Sequence, residues 1–192
     1  MKTANLRHMT VDEFLEWSER QQSGRYELEH GQVVTMQAER IEHTEAKLET
    51  VIALREAIKK AGLPCSAVTD GATVRISKTT AYEPDALVYC GEKAPRGSLE
   101  IPNPVVVVEV LSPGTAMRDA QAKLQGYFSV ASVEHYLILN PETRMVTHHA
   151  RAEGDAVRTR IVSDGALMLN PPGLDVSVEA MFPVEVSVEQ TI

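Results

Sequence analysis

The sequence predicts an α/β fold of mixed α+β character, a central mixed β-sheet flanked by α-helices, and three observations carry that prediction. Helical and strand-like patterns follow one another as helix, hairpin, long helix, strands, helix, strands, the order expected where helices pack on a sheet. The run VVVVEVL at 105–111 is apolar on both strand faces, as a central strand covered from both sides must be. The chain has 192 residues, 43% hydrophobic and 24% charged, enough to bury a substantial core. A single domain over 1–192 is expected. It would comprise an N-terminal helix and hairpin over 10–36, a long helix over 39–61, a core bearing the site candidates over 65–140, and C-terminal strands over 144–182.

Each element has a local reason. Thr10-Val-Asp-Glu13 fits a capping box, in which the hydroxyl takes an amide of the first turn and the carboxylate reaches back. A short helix follows through FLEWSER, with Phe14 and Trp17 on one face. RYELEHGQVVTM reads as a hairpin turning at His30-Gly31, where glycine tolerates positive φ. Between Glu39 and Ala61, the apolar residues Ile41, Leu48, Val51, Ile52, Leu54 and Ile58 recur at helical spacing, and Gly62 with Pro64 marks the stop. CSAVTD, then ATVRIS after a turn at Asp70-Gly71, then YEPDALVYC read as strands, with Pro84 at a position where a missing amide costs little. GEKAPRGSLEIPNP is a loop, VVVVEVL the central strand, and Pro113-Gly114 its end. Thr115 to about Ser129 is helical, HYLILN, RMVTHHA and AVRTRIV are strands, and GLDVSVEAMF holds a short closing helix.

Charge and composition exclude several classes. Nineteen basic residues against 27 acidic give a net charge of −8, so a nucleic-acid partner requires a local basic face or bridging cations. Arg55, Lys59, Lys60, Arg75 and Lys78 are candidates for such a face, and equally ordinary solvated charges. No stretch is apolar enough to span a membrane and no secretory leader is evident, so a cytoplasmic protein is expected. Cys65 and Cys90 stand outside any metal-type spacing and read as two buried thiols.

Glu109 is the one charged side chain in VVVVEVL. On a strand it shares a face with Val105, Val107 and Leu111. Ionised among such neighbours it costs several kcal/mol unless a cation, a donor network or a proton offsets it. Either a rim ion pair or a metal ion supplies that offset. Asp85 opens a second apolar strand 24 residues earlier, and two carboxylates at one sheet edge are the hard oxygen pair that Mg²⁺ prefers. Alone, Asp85 reads as a turn residue capping amides. No lysine follows Glu109 on its strand, but Asp119, Lys123 and Tyr127 in the next helix can lie on one face. Taken alone, Asp119 and Lys123 also read as a solvated helix pair.

EPDALVY, VVVVEVLSP, AKLQGYF and HYLILNP, in this order, resemble the Uma-two family of restriction-endonuclease-like proteins, within the PD-(D/E)XK nuclease superfamily. The resemblance runs from MTVDEFLEW through RYELEHG to PPGLDVSVEAMF and implies a restriction-endonuclease-like core. It matches Asp85 to the aspartate of the PD motif and Glu109 to the acid of the (D/E)XK element. Leu111 stands where the superfamily has lysine, a role the resemblance passes to Lys123. Glu27 matches the upstream glutamate and His43 a histidine of the long helix. The implied chemistry is Mg²⁺-dependent endonuclease hydrolysis of DNA, with Mn²⁺ as a substitute, the ion being held by Asp85, Glu109, the Val110 carbonyl and Glu27. A homodimer is the implied assembly. Two other classes stay open: a non-catalytic binding or regulatory module on the same fold, and a metal-dependent hydrolase of a small phosphorylated molecule.

Overall fold

The chain is seen in a computed structural model that describes residues 8–111 and 116–184, with side chains in the second stretch from residue 122 onward. The stop expected at Pro113-Gly114 lies outside the described residues. Helix α1 (Val11–Ser18) opens with the capping box: the Glu13 amide donates to the Thr10 hydroxyl at 3.3 Å, and the Thr10 amide to the Glu13 carboxylate at 2.9 Å. Its Val11 and Phe14 pack on Leu28 and Ala81. Strands β1 (Tyr26–Glu29) and β2 (Gln32–Thr35) form the expected hairpin. At its turn both His30 and Gly31 take positive φ, 47° and 80°.

Helix α2 (Ile41–Ala61) ends at Gly62, whose left-handed φ of 62° lets its amide reach the Ile58 and Lys59 carbonyls. Its large apolar residues divide between two faces: Val51, Leu54 and Ile58 are buried as expected, whereas Ile41, Leu48 and Ile52 are exposed, and Ala46, Thr50, Ala53 and Ala57 complete the buried face. Small side chains let the helix axis approach the sheet closely, and polar His43 and Lys47 are buried on its first turns.

The main sheet has six strands in the order β10-β9-β8-β7-β6-β3: β3 (Cys65–Thr69), β6 (Ala86–Cys90), β7 (Pro104–Val110), β8 (His135–Asn140), β9 (Met145–Arg151) and β10 (Val157–Val162). The β7–β8 pair is parallel, joined through helix α3 (Ala116–Ser129), and the other pairs are antiparallel. A second sheet, β2-β1-β5-β4, uses β4 (Val74–Arg75) and β5 (Ala81–Tyr82). Hairpin β11 (Ala166–Leu169) and β12 (Leu174–Ser177) precedes a 3₁₀ turn at Glu179–Met181. Val106, Val108 and Val110 face α2 and the hairpin, while Val107 faces Tyr127, Tyr136 and Leu87 on the α3 side.

Two expected strands come out shorter. ATVRIS pairs only at Val74 and Arg75, because the amides of Ile76 and Ser77 turn back to the Thr80 carbonyl. YEPDALVYC divides at Glu83-Pro84-Asp85: β5 joins the small sheet and β6 the large one. Proline donates no amide, so pairing stops there. That change of sheet leaves Glu83 and Asp85 at the seam between the two sheets.

The expectation of two free thiols is corrected. Cys65 and Cys90 are direct partners in the antiparallel β3–β6 register and form a disulfide, a pairing 25 residues apart in sequence that only strand alignment brings together. A loop of that length constrains the unfolded chain by about 3 kcal/mol. Urea unfolding of a Cys65→Ala/Cys90→Ala variant should show a loss of about that size against the oxidised parent, and no further loss on adding reductant. Among the described residues no helix is long and apolar enough to cross a membrane.

Candidate active site

The end of β7 holds the site. Glu109 points to the α3 side, where Tyr127 donates its hydroxyl to Oε1 at 2.6 Å and Lys123 donates Nζ to the same oxygen at 3.0 Å. Both donors come from α3 one turn apart, the spacing that places them on one helix face. Lys123 also donates to Glu27 Oε1 at 2.8 Å, and that oxygen accepts the Glu83 amide at 2.8 Å. Its ammonium lies 5.4 Å from the centre of the Tyr82 ring. Gly126 permits this approach of α3, since a Cβ there would meet Tyr82 Cε2 at 2.6 Å. Among the described residues, the hydrogen bonds to Glu109 fall on Oε1.

Asp85 sits beside this group, just before β6, where Ala86 pairs with Val108. Its Oδ2 accepts the Val110 amide at 2.7 Å. Its Oδ1 is 3.3 Å from His43 Nε2 and 3.6 Å from Lys47 Nζ. Glu39, His43 and Asp85 each offer a ligand atom, all within 4.8 Å of one another. Lys47 also pairs with Asp70 at 2.8 Å and with Glu39, and Arg25 pairs with Glu39, with Glu83 at 2.7 Å and with Asp70 at 3.0 Å.

Electrostatics follow from this crowding. Burial pushes the Glu109 carboxyl up, Lys123 opposes the rise, and the charges of Asp85 and Glu27 add to it, bringing its pKa to about 7. Burial also works to raise Asp85, but the His43 hydrogen bond and charge, the Val110 amide and Lys47 hold it below the ordinary carboxylate range. Burial alone would discharge Lys123, yet Glu109 and Glu27 hold its pKa above the usual lysine value. Burial and the nearby carboxylates keep Tyr127 a protonated phenol. Glu27, Glu39, Asp70, Glu83, Asp85 and Glu109 thus surround three permanent cations, Arg25, Lys47 and Lys123. The excess of carboxylate is what a divalent cation would neutralise.

All the side chains singled out from the sequence, Glu27, His43, Asp85, Glu109 and Lys123, meet here, with Tyr127 steadying Glu109. The Asp119 side chain lies outside the described residues. Arg25, Glu39, Lys47, Asp70 and Glu83 escaped the sequence reading. One signal was available: Glu39, His43 and Lys47 recur every fourth residue, a polar stripe along one helical face. The basic-face candidate Arg75 is instead paired with Glu100 at 2.8 Å and Asp12 at 2.7 Å.

The chain resembles "Uncharacterized protein slr1290" of Synechocystis sp. (strain ATCC 27184 / PCC 6803 / Kazusa), with 25% identity over 178 residues covering 91% of each sequence. A solved structure from Anabaena variabilis ATCC 29413, described as "a putative nuclease belonging to DUF820", shares the fold with a TM-score of 0.70 and 16% identity. The match covers 91% of this chain and 97% of that one. The model of the Uma2 family, described as "Putative restriction endonuclease", matches residues 11–187. By that match over nearly its whole length, the chain belongs to the Uma2 family.

Proposed function

We propose that this protein is a Mg²⁺-dependent endonuclease that hydrolyses DNA phosphodiester bonds, with Mn²⁺ able to replace Mg²⁺. The observation that carries the reading is Lys123 hydrogen-bonded to both Glu27 and Glu109, next to Asp85. The donors suit the ion: Glu39, His43 and Asp85 offer ligand atoms within 4.8 Å of one another, and beside them the Glu109 carboxyl holds its proton only to about pH 7. Asp85, Glu109, Glu27 and the Val110 carbonyl would hold it, with Glu39 and His43 beside Asp85. The ion supplies activation of water and neutralisation of phosphate charge.

The chain's own residues do the rest. Lys123, kept charged by its two carboxylates, presents protons toward water or a phosphate oxygen and stabilises charge that develops there. Tyr127 fixes the Glu109 rotamer by its 2.6 Å hydrogen bond. The Val110 amide fixes Asp85 in the same way. Lys47 and Arg25 keep Glu39, Asp70 and Glu83 from adding uncompensated charge. A second copy of the chain would bring a second site for the opposite DNA strand.

A metal-dependent hydrolase acting on a small phosphorylated molecule is the second reading: a pocket of about 310 Å³ adjoins the cluster through Arg25, Asp70 and Glu83, and Glu27, Asp85, Glu109 and Lys123 are not in its lining. Supercoiled plasmid, single-stranded DNA and a chromogenic phosphodiester, each with Mg²⁺, Mn²⁺ or EDTA, separate the two. Cleavage of DNA that stops in EDTA and falls at least roughly 100-fold in Asp85→Asn and Glu109→Gln is the expected result. Equal cleavage by the wild type and both variants would overturn it.

A further inference from the structure

Away from the acidic site, a cavity of about 290 Å³ opens between the β8-β9-β10 half of the sheet and the β11–β12 hairpin. Register explains its lining. His135, His148 and Arg160 occupy the α2-side face, since His148 pairs with both Leu137 and Arg160, and Arg158 shares that face through Ala150. Asn170 and Met168 complete the wall from the hairpin. Among the described residues no carboxylate lines it, in a chain whose net charge is −8.

The two histidines are buried and held in one orientation. Arg160 Nε donates to His148 Nδ1 at 3.3 Å, so the neutral ring carries its proton on Nε2 and donates that to His135 Nδ1 at 2.9 Å. His135 Nε2 then donates to the Pro171 carbonyl at 2.9 Å. The relay anchors Arg160 by a single nitrogen and leaves its two terminal nitrogens for a ligand. Arg151, at the rim, is spent on the carbonyls of Phe128, Val130 and Val133. The described arginine ion pairs involve Arg20, Arg25 and Arg75, so among the described residues neither Arg158 nor Arg160 is matched by a carboxylate. Both are exposed on an edge strand.

We propose that this cavity is a phosphate-binding site, in which the guanidinium groups of Arg158 and Arg160 grip the oxygens of a phosphate monoester and Asn170 adds a polar contact. Planar guanidinium forks match phosphate oxygens two at a time. The volume admits a phosphate with one attached residue rather than a polymer laid flat across it. Two sources share this chemistry, a free mononucleotide and the 5′-phosphate end of a nucleic-acid strand. The site lies toward the start of β7 and β8, near the level of Val106, Val108, His135 and Leu137, whereas Glu109 and Asp85 lie at the other end, Glu109 against Lys123 and Tyr127 of α3 and Asp85 beside His43 and Lys47 of α2. The assignment is independent of the hydrolytic reading.

Calorimetric titration in EDTA tests it with four probes: inorganic phosphate, a nucleoside 5′-monophosphate, and one short oligonucleotide with a 5′-phosphate or a 5′-hydroxyl. Binding of the phosphorylated probes is expected, weakened about tenfold in Arg158→Gln and further in Arg158→Gln/Arg160→Gln. Preference for the mononucleotide assigns the free ligand as source; preference for the 5′-phosphorylated strand over its hydroxyl twin assigns the strand end. Arg158→Gln has no described partner to lose, so its fold serves as the control. The His135 and His148 ring resonances should move with the same titration. No heat with any phosphorylated probe, or unchanged affinity in both arginine variants, overturns the proposal.

Discussion

Lys123→Ala should lose stability in a metal-free buffer and regain most of it when Mg²⁺ is added, while its cleavage rate stays low. Lys123 is 12% exposed and lies between Glu27, 6% exposed, and Glu109, 12% exposed. Removing one member of a buried pair leaves the other charge uncompensated, at a cost of roughly 3–5 kcal/mol. Here two carboxylates are left facing each other. A divalent cation is the replacement charge, so the midpoint of thermal unfolding should rise with Mg²⁺ by more in the variant than in the wild type. The rate should not return, because Lys123 contributes positioned protons and charge that an ion bound to the same carboxylates does not duplicate. Loss of one such group costs about 10² to 10³ in rate. Lys123→Met, which keeps the length of the side chain without its charge, should behave like the alanine variant. Equal Mg²⁺ shifts in wild type and variant would show that the ion and the lysine do not share these carboxylates.

The second large effect concerns pH. Glu109 has a folded pKa of about 7 against an ordinary value of 4.5. The folded state therefore binds its proton more tightly, and the stability it contributes declines as pH rises from 4.5 to about 7. His148 works the other way. Burial first, then the charges of His135 and Arg160, push its pKa down to about 4 from 6.5, so the stability it contributes declines as pH falls from 6.5 to about 4. Each difference corresponds to on the order of 3 kcal/mol, and the two windows overlap. His135 and His149, also lowered by burial, add to the His148 trend. Between pH 4.5 and 6.5 the unfolding midpoint of Glu109→Gln should climb with pH more steeply than that of the wild type, and that of His148→Gln less steeply, by roughly 5–10 °C in each case. Parallel profiles in the two variants would refute this opposition.

Both effects depend on contacts made across the fold. Local patterns were sufficient for the capping box at Thr10–Glu13, the turn at His30-Gly31, the helix ended by Gly62 and the central strand around Glu109. Each rests on a few neighbouring residues whose backbone preferences or periodicity act alone. Lone charges in apolar strands were equally visible, because an acid such as Glu109 or Asp85 needs compensation wherever it is buried.

Partnership required the tertiary structure. Glu27 and Lys123 meet across 96 residues of sequence, Lys47 reaches Asp70 from another element, and the disulfide depends on the β3–β6 register. Among the large apolar residues of α2, Val51, Leu54 and Ile58 lie on its buried face while Ile41, Leu48 and Ile52 do not, since periodicity says which residues share a side but not which neighbour can approach it. A buried stripe of alanine, histidine and lysine carries little hydrophobic signal, and the acids it serves lie on other strands. Composition and local pattern determined the elements and the charges that had to be buried. Long-range packing alone decided which cation meets which carboxylate, because the energy of an ion pair depends on distance and burial, neither of which is a property of a single stretch of chain.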